Sequence, residues 1–203
     1  MVDAEALSPE KRVQILDGAA AIFARDGYEG ASMSRIAQEA NVSKGTLYNH
    51  FEGKAQLFAA YVEQECSRKL SQIFETIDTD DDPAATLRAV GDRMARMMLS
   101  PTGLTIYRVV VSEAGKFPEL ARVFYEAGPA KATGTLARWL ARQAERGRLR
   151  VADPEFAADQ FFALCQTRLW MRCKLQMLPD PSAAEIDRVV HGAVAMFLRT
   201  YAA

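Results

Sequence analysis

The amino-acid sequence predicts an all-α protein of about nine helices: a three-helix helix-turn-helix domain at the N-terminus, then a larger helical domain. Three observations lead there. Apolar residues recur at helical spacing along most of the 203 residues. Small polar residues, prolines and acids open the periodic stretches as helix starts do. No two-residue turn signal joins alternating strands. With 49% hydrophobic residues the chain can bury a real core.

In order along the chain, Ser8-Pro9-Glu10 supplies an N-cap, a first-turn proline and an acid. Gly27 closes that helix in the manner of a left-handed terminal residue. Ile15, Leu16, Ala19, Ala20, Ile22 and Phe23 form its apolar face. Ser32 caps a short second helix, Asn41 takes the left-handed turn conformation, and Ser43 caps a third. After Lys54 a long helix carries Leu57, Phe58, Tyr61, Val62, Leu70, Ile73, Phe74 and Ile77, and Asp78-Thr-Asp-Asp-Asp82 ends it. Asp82-Pro83, Phe117-Pro118-Glu119 and Asp153-Pro154 start further helices. Gly128-Pro129 interrupts one periodic segment and predicts a kink. Pro154–Leu178 reads as one long helix, and the capping box Ser182-Ala-Ala-Glu185 opens the last. A domain boundary is expected near Gly53, dividing residues 1–53 from 54–203.

Composition excludes several classes. The start MVDAEALSPEKR is acidic and has no apolar signal segment, and no run approaches the roughly 18 apolar residues of a membrane span. A soluble, cytoplasmic protein without membrane contact is expected. Cys66, Cys165 and Cys173 are scattered and without ligand-like histidines, so reduced buried thiols are expected, with no metal and no cofactor. Asp80, Asp81 and Asp82 read as an acidic helix start rather than a cation site. There is no Gly-rich phosphate loop, HExxH or GxSxG, and neither histidine has a catalytic setting; His191 reads as structural or interfacial, and the protein is not expected to be an enzyme. Net charge is −1 and the pI near 6.2, so any nucleic-acid binding must come from a local patch.

Such a patch lies in GASMSRIAQEANVSKGTLYNHFEGK, residues 30–54. Ile36, Ala40, Val42, Leu47 and Phe51 make a small interior, and Ala37 lets the helices approach. Gly45, Thr46, Tyr48 and Asn49 then fan across the opposite arc. An α-helix fits the major groove. Thr, Asn and Tyr can bond phosphates or base edges, Lys44 adds charge, and Gly45 permits close backbone approach. Arg35, Lys44 and Lys54 against Glu39 and Glu52 give this segment a formal charge of only +1.

GASMSRIAQEANVSKGTLYNHFEGKAQLF resembles the DNA-binding segment of TetR-family transcription regulators: the IA pair, VSKGTLY, the HF pair and the following lysine stand in the family's order. The likeness covers residues 8–60 in detail and the later helices by architecture. Asn41 replaces the glycine common at the turn. The resemblance implies DNA contacts at Ser32, Ser34, Arg35, Lys44, Gly45, Thr46, Tyr48, Asn49, His50 and Lys54. Tyr48 and Lys54 are assigned to phosphates, and Arg35, Lys44 and Asn49 to base edges or mixed contacts. His50 reads equally as a packed residue or a phosphate donor. The resemblance also implies a homodimer through the last two helices, a palindromic double-stranded DNA operator, and repression relieved by a small molecule.

Aromatic and methionine density in the later helices, together with the resemblance, suggests an apolar effector cavity. Its candidate lining is Phe74, Met94, Met98, Tyr107, Val111, Phe124, Phe162, Cys165 and Trp170, with Tyr107, Arg108 or Arg168 as polar handles. The same residues also suit an ordinary core. A helical carrier without DNA binding would keep those helices and need no groove-binding one, and activation in place of repression stays open. Val190 and Phe197, on the last helix, are expected at the dimer interface.

Overall fold

The helix starts at Ser8, Ser32, Ser43, Asp82, Asp153 and Ser182 are where sequence and structure agree most closely, because at each a side chain accepts a hydrogen bond from a backbone N–H two or three residues on. In the computed structural model, which describes residues 8–75, 77 and 82–203, helix α1 (Pro9–Gly30) begins with the Ser8 hydroxyl accepting from Lys11 N at 3.1 Å. It is broken at Gly27, whose φ of 70° only glycine adopts freely. Helix α2 (Met33–Glu39) is capped by Ser32 and α3 (Lys44–His50) by Ser43. Between them Asn41 sits at φ 51°. Helix α4 (Lys54–Phe74) is followed by α5 (Pro83–Leu99), where the Asp82 carboxylate accepts from Ala84 N at 2.9 Å. Asp82 is thus a cap, while Asp80 and Asp81 lie outside the described residues.

Helix α6 (Pro101–Glu113) and α7 (Pro118–Tyr125) follow, and α7 runs through a π-helical turn (Glu126–Ala130) into α8 (Lys131–Glu145). The irregularity expected at Gly128-Pro129 is this turn: a wider helical turn accommodates a proline that cannot donate. Helix α9 (Pro154–Cys165), α10 (Leu169–Lys174) and α11 (Ala183–Tyr201) complete the chain. The single helix expected over Pro154–Leu178 is two. At the break the Thr167 hydroxyl donates to Leu164 O, Leu169 N donates to Thr167 O, both at 2.8 Å, and Arg168 takes φ 66°. These short local bonds replace the helical ladder where the sequence has neither proline nor glycine. The described residues contain no strand, only an isolated bridge between Leu149 and Ala202. The all-α class stands.

The chain forms two compact units. One holds the residues up to Cys66 together with Thr105–Tyr125; the other holds Ser67–Leu104 and Glu126–Ala203. Helices α4 and α6 each run from one unit into the other. The first unit's core joins Ile15, Ile22 and Phe23 of α1, Ile36 of α2, Leu47 of α3 and Leu57 and Phe58 of α4 with Ile106, Val110 and Leu120. Phe23 meets Phe58 edge-to-face at 4.9 Å. The second unit packs α8 on α9, and α11 on α5 and α9, around Leu87, Leu136, Trp139, Phe161 and Phe197. No described helix is long and apolar enough to cross a membrane.

Candidate nucleic-acid interface

Helix α3 is seven residues long, too short to persist alone in water. Its fixity comes from two side chains turned inward, Leu47 at 0% and Phe51 at 3% exposure. Around them Lys44, Gly45, Tyr48 and Asn49 are exposed and Thr46 half-buried. Ser43 accepts from Thr46 N at 2.9 Å, and its hydroxyl pairs with the Thr46 hydroxyl at 2.8 Å. That pair ties Thr46 at the start of α3. A Cβ added at Gly45 would meet only the Ser43 hydroxyl, at 3.7 Å. Nothing inside the protein therefore requires glycine there, although glycine costs a helix about 1 kcal/mol relative to alanine.

Helix α2 supports this arc. Ser32 and Ser34 are exposed, and Ser32 accepts from Arg35 N at 3.3 Å. Arg35 pairs with Asp26 at 2.9 Å, and Arg25 also approaches Asp26 at 3.3 Å and Glu39 at 3.4 Å. The hydrogen bond and charge of Asp26 push the Arg25 pKa upward. Arg35 is thus partly engaged before any duplex arrives. His50 is half-buried, and its Nε2 is buried without a hydrogen-bond partner. Lys54, at the start of α4, has its ammonium against the carbonyls of Tyr28, Ala31 and Glu29.

Two features that position the arc escaped the sequence reading. Gly18 of α1 faces Ala40, where an added Cβ would lie 2.7 Å from the Ala40 Cβ. Gln14 Nε2 donates to Ala40 O at 2.6 Å. Glycine in mid-helix, four residues after a glutamine, was the only available signal.

The residues expected to line an effector cavity fall in both units. In the second, Met94, Phe162 and Cys165 belong to the buried core, with Phe74, Met98 and Trp170 packed half-buried against it. Burial pushes the Cys165 thiol up to about 12, so it stays protonated. Arg168 is exposed, and Lys174 Nζ lies 5.3 Å from the Trp170 ring centre. In the first unit, Tyr107 meets Phe124 edge-to-face at 6.5 Å, Arg108 donates to the Thr105 hydroxyl at 3.2 Å, and Val111 is 59% exposed. A depression between α5 and α11, rimmed by Asp82, Arg88, Asp92 and Asp187, contains none of these side chains. The second unit's core also holds polar atoms the sequence reading did not single out: Trp139 Nε1, Gln143 Oε1 and Thr86 Oγ1 are buried without hydrogen-bond partners. Val190 and Phe197, expected at an interface, are each 1% exposed inside the second unit. The large apolar side chains exposed on α9 and α11 are Phe156 and Met196.

Residues 15–61 match the family model for bacterial regulatory proteins of the tetR family, and residues 85–203 match that for the AefR-like transcriptional repressor C-terminal domain. The transcriptional activator FasR of Mycolicibacterium smegmatis is 36% identical over 80 residues, 39% of this chain and 36% of that protein. The chain thus spans about a third of the length of the curated relatives it matches. A protein from Mesorhizobium loti assigned to the TetR family superposes with a TM-score of 0.87 at 26% identity, over 96% of this chain and 98% of that one. The flavonoid-responsive regulator FrrA superposes with a TM-score of 0.78 at 28% identity, again over 96% and 98%. These are regulators and not enzymes, and with models spanning both the helix-turn-helix and the C-terminal helices, this chain belongs to the TetR family of bacterial transcriptional regulators.

Proposed function

We propose that the protein is a homodimeric repressor that binds a palindromic double-stranded DNA operator and leaves it when a small hydrophobic or amphipathic ligand binds residues 54–203. Residues 1–53 form the DNA-binding domain on this reading. The observation that carries it is the α3 arc: Lys44, Gly45, Tyr48 and Asn49 exposed over buried Leu47 and Phe51, with an open glycine the fold does not need. Tyr48 and Lys54 are assigned to phosphates and Arg35, Lys44 and Asn49 to base edges or mixed contacts, with Ser32, Ser34, Gly45, Thr46 and His50 completing the contact surface. Repression is favoured by the description of the C-terminal family model. Activation is the second reading, favoured by the likeness to FasR.

The dimer is assigned to α9 and α11, whose Phe156 and Met196 stand 58% and 57% exposed. Two-fold symmetry then sets two copies of α3 on successive major-groove faces, about 34–36 Å apart or wider. The effector is assigned an aromatic, partly polar character. FrrA is described as flavonoid-responsive, and another structure of similar fold, SmeT, is solved with triclosan. Selection of bound sequences from random duplexes is the direct test. Recovery of a palindrome supports the reading, and no enrichment over repeated rounds would leave the helical-carrier alternative. For the effector, a flavonoid titrated against free and operator-bound protein must bind the free form more tightly. The expected coupling is about 1–3 kcal/mol, with DNA weakening ligand binding by the same factor.

A further inference from the structure

We propose that Trp139 and Gln143 of α8 form a buried subsite for a hydroxyl group within the core of the second unit; that this hydroxyl belongs to the effector rests on the effector reading above. Trp139 is 1% and Gln143 2% exposed, yet the indole Nε1 and the amide Oε1 have no hydrogen-bond partner in the protein. A buried polar atom without a partner gives up its hydration for nothing, and folded cores hold few of them. Here two stand four residues apart on one helix.

Residues at that spacing are neighbours on one helix face. Leu136, Trp139, Leu140 and Gln143 lie along the buried stripe of α8, which packs on α9. The two polar atoms thus share a face whose other large residues are leucines, and packing alone does not call for a glutamine there. The end of the helix does not call for it either. It is the Gln143 backbone carbonyl that closes the last turn, accepting from Arg148 N at 3.0 Å and from Leu149 N at 3.3 Å.

The two atoms are complementary in kind. An indole N–H only donates, and an amide oxygen only accepts. One hydroxyl oxygen serves both, accepting from Trp139 Nε1–H and donating its own proton to Gln143 Oε1. An ether or ketone oxygen serves the first and leaves the second unpaired, and a charged group would be buried without a counter-charge. The surrounding core is apolar, with Met94, Phe161 and Phe162 among its members. A molecule that brings a hydroxyl here is therefore otherwise apolar: a phenol or a hydroxylated aromatic. The handles expected from the sequence are placed differently, since Tyr107 and Arg108 belong to the first unit and Arg168 is exposed.

The chain has two tryptophans, so its indole N–H groups give two resonances in a proton–nitrogen correlation spectrum, and Trp139→Phe assigns them. Phenol and its methyl ether, anisole, are titrated into the full chain as probes of nearly equal shape that differ in the one proton. Phenol should move the Trp139 indole resonance saturably, and anisole should bind about tenfold or more weakly. Gln143→Met keeps the length of the side chain and removes the acceptor, so it should abolish the preference for phenol. Equal affinity of the two probes for wild type, or a Trp139 resonance that phenol leaves in place, would overturn the proposal without need of any variant. If phenol fails to move it and Gln143→Met also melts below wild type, a resident water holds the pair and the two atoms serve stability only. Duplex affinity at saturating phenol separates the two levels of the inference: a retained preference for phenol with unchanged duplex binding would leave the subsite standing and remove its assignment to the effector.

Discussion

The packing of α1 on α2 can be tested at one atom. Replacing Gly18 by alanine puts a Cβ 2.7 Å from the Ala40 Cβ and 2.8 Å from its Cα and N. Carbon atoms rest at about 3.5–4.0 Å, so the end of α2 must retreat by about 1 Å. It cannot do so freely, because Ala40 N donates to Ile36 O at 2.9 Å and Ala40 O accepts from Gln14 at 2.6 Å. Overpacking of this kind costs about 1–3 kcal/mol, while alanine gains about 1 kcal/mol in helix propensity. The net loss is up to about 2 kcal/mol, or a melting temperature lower by up to about 8 °C for a chain of this length. Valine, which adds volume and less propensity, should lose more. Thermal unfolding followed by circular dichroism measures this, with Gly53→Ala as control because a Cβ there meets nothing within 4 Å. The shift should also reach α3, since Ile36 and Leu47 share one core, and affinity for the selected duplex should fall. A Gly18→Ala protein as stable as wild type, binding duplex equally well, would refute the close-approach argument.

Gly45→Ala should do the reverse, stabilising α3 by up to about 1 kcal/mol while weakening duplex binding; paired melting and binding curves read both signs. Lys44→Ala should lower the salt slope of binding by about one per protomer if it meets a phosphate, and should relax sequence preference if it reads a base. Phe156→Glu or Met196→Glu should convert dimer to monomer by light scattering with the fold retained, whereas Phe197→Glu, buried to 1%, should unfold the second unit. Ser182→Ala should cost about 1 kcal/mol through its lost cap. The Ser182 backbone N–H first, and its hydroxyl second, hold the Glu185 carboxyl below its ordinary value. That contribution is present above the ordinary glutamate range and disappears as pH falls through the lowered value, so in urea titrations repeated toward acid pH the gap between wild type and variant should narrow by the hydroxyl's share while the loss due to the cap persists.

The helix-turn-helix was legible because its grammar is local. Ser32, Asn41 and Ser43 act through bonds and dihedrals within three residues of themselves, so their order in the sequence is their arrangement in space. What was not legible lies at a distance or lacks a distinguishing side chain. Gly18 meets Ala40, and Lys54 meets Tyr28, across stretches that no periodicity links. The break before α10 occurs at a threonine and an arginine, neither a helix breaker by type. Val190 and Phe197 have the spacing of an interface stripe and turn out to be interior. Met94 and Cys165 illustrate the same ambiguity for a pocket, since lining a cavity and filling a core call for the same apolar side chains.

The dependence of α3 on its surroundings also limits how an effector could act. A seven-residue helix held by Leu47 and Phe51 has no independent stability to lose, and melting it would mean breaking the core those residues share with Ile15, Leu57 and Phe58. A coupling of about 1–3 kcal/mol is small against that core. On the proposed reading, a ligand therefore leaves the helix-turn-helix folded and acts on where it is carried. The covalent routes are α4 and α6, each continuous from one unit into the other. Hydrogen exchange separates the alternatives: with a compound bound that titration against free and operator-bound protein identifies as an effector, amides of residues 33–50 should keep their protection while duplex affinity falls. Loss of protection confined to α3 would instead mean that the ligand melts the reading helix, and the argument from the shared core would be wrong.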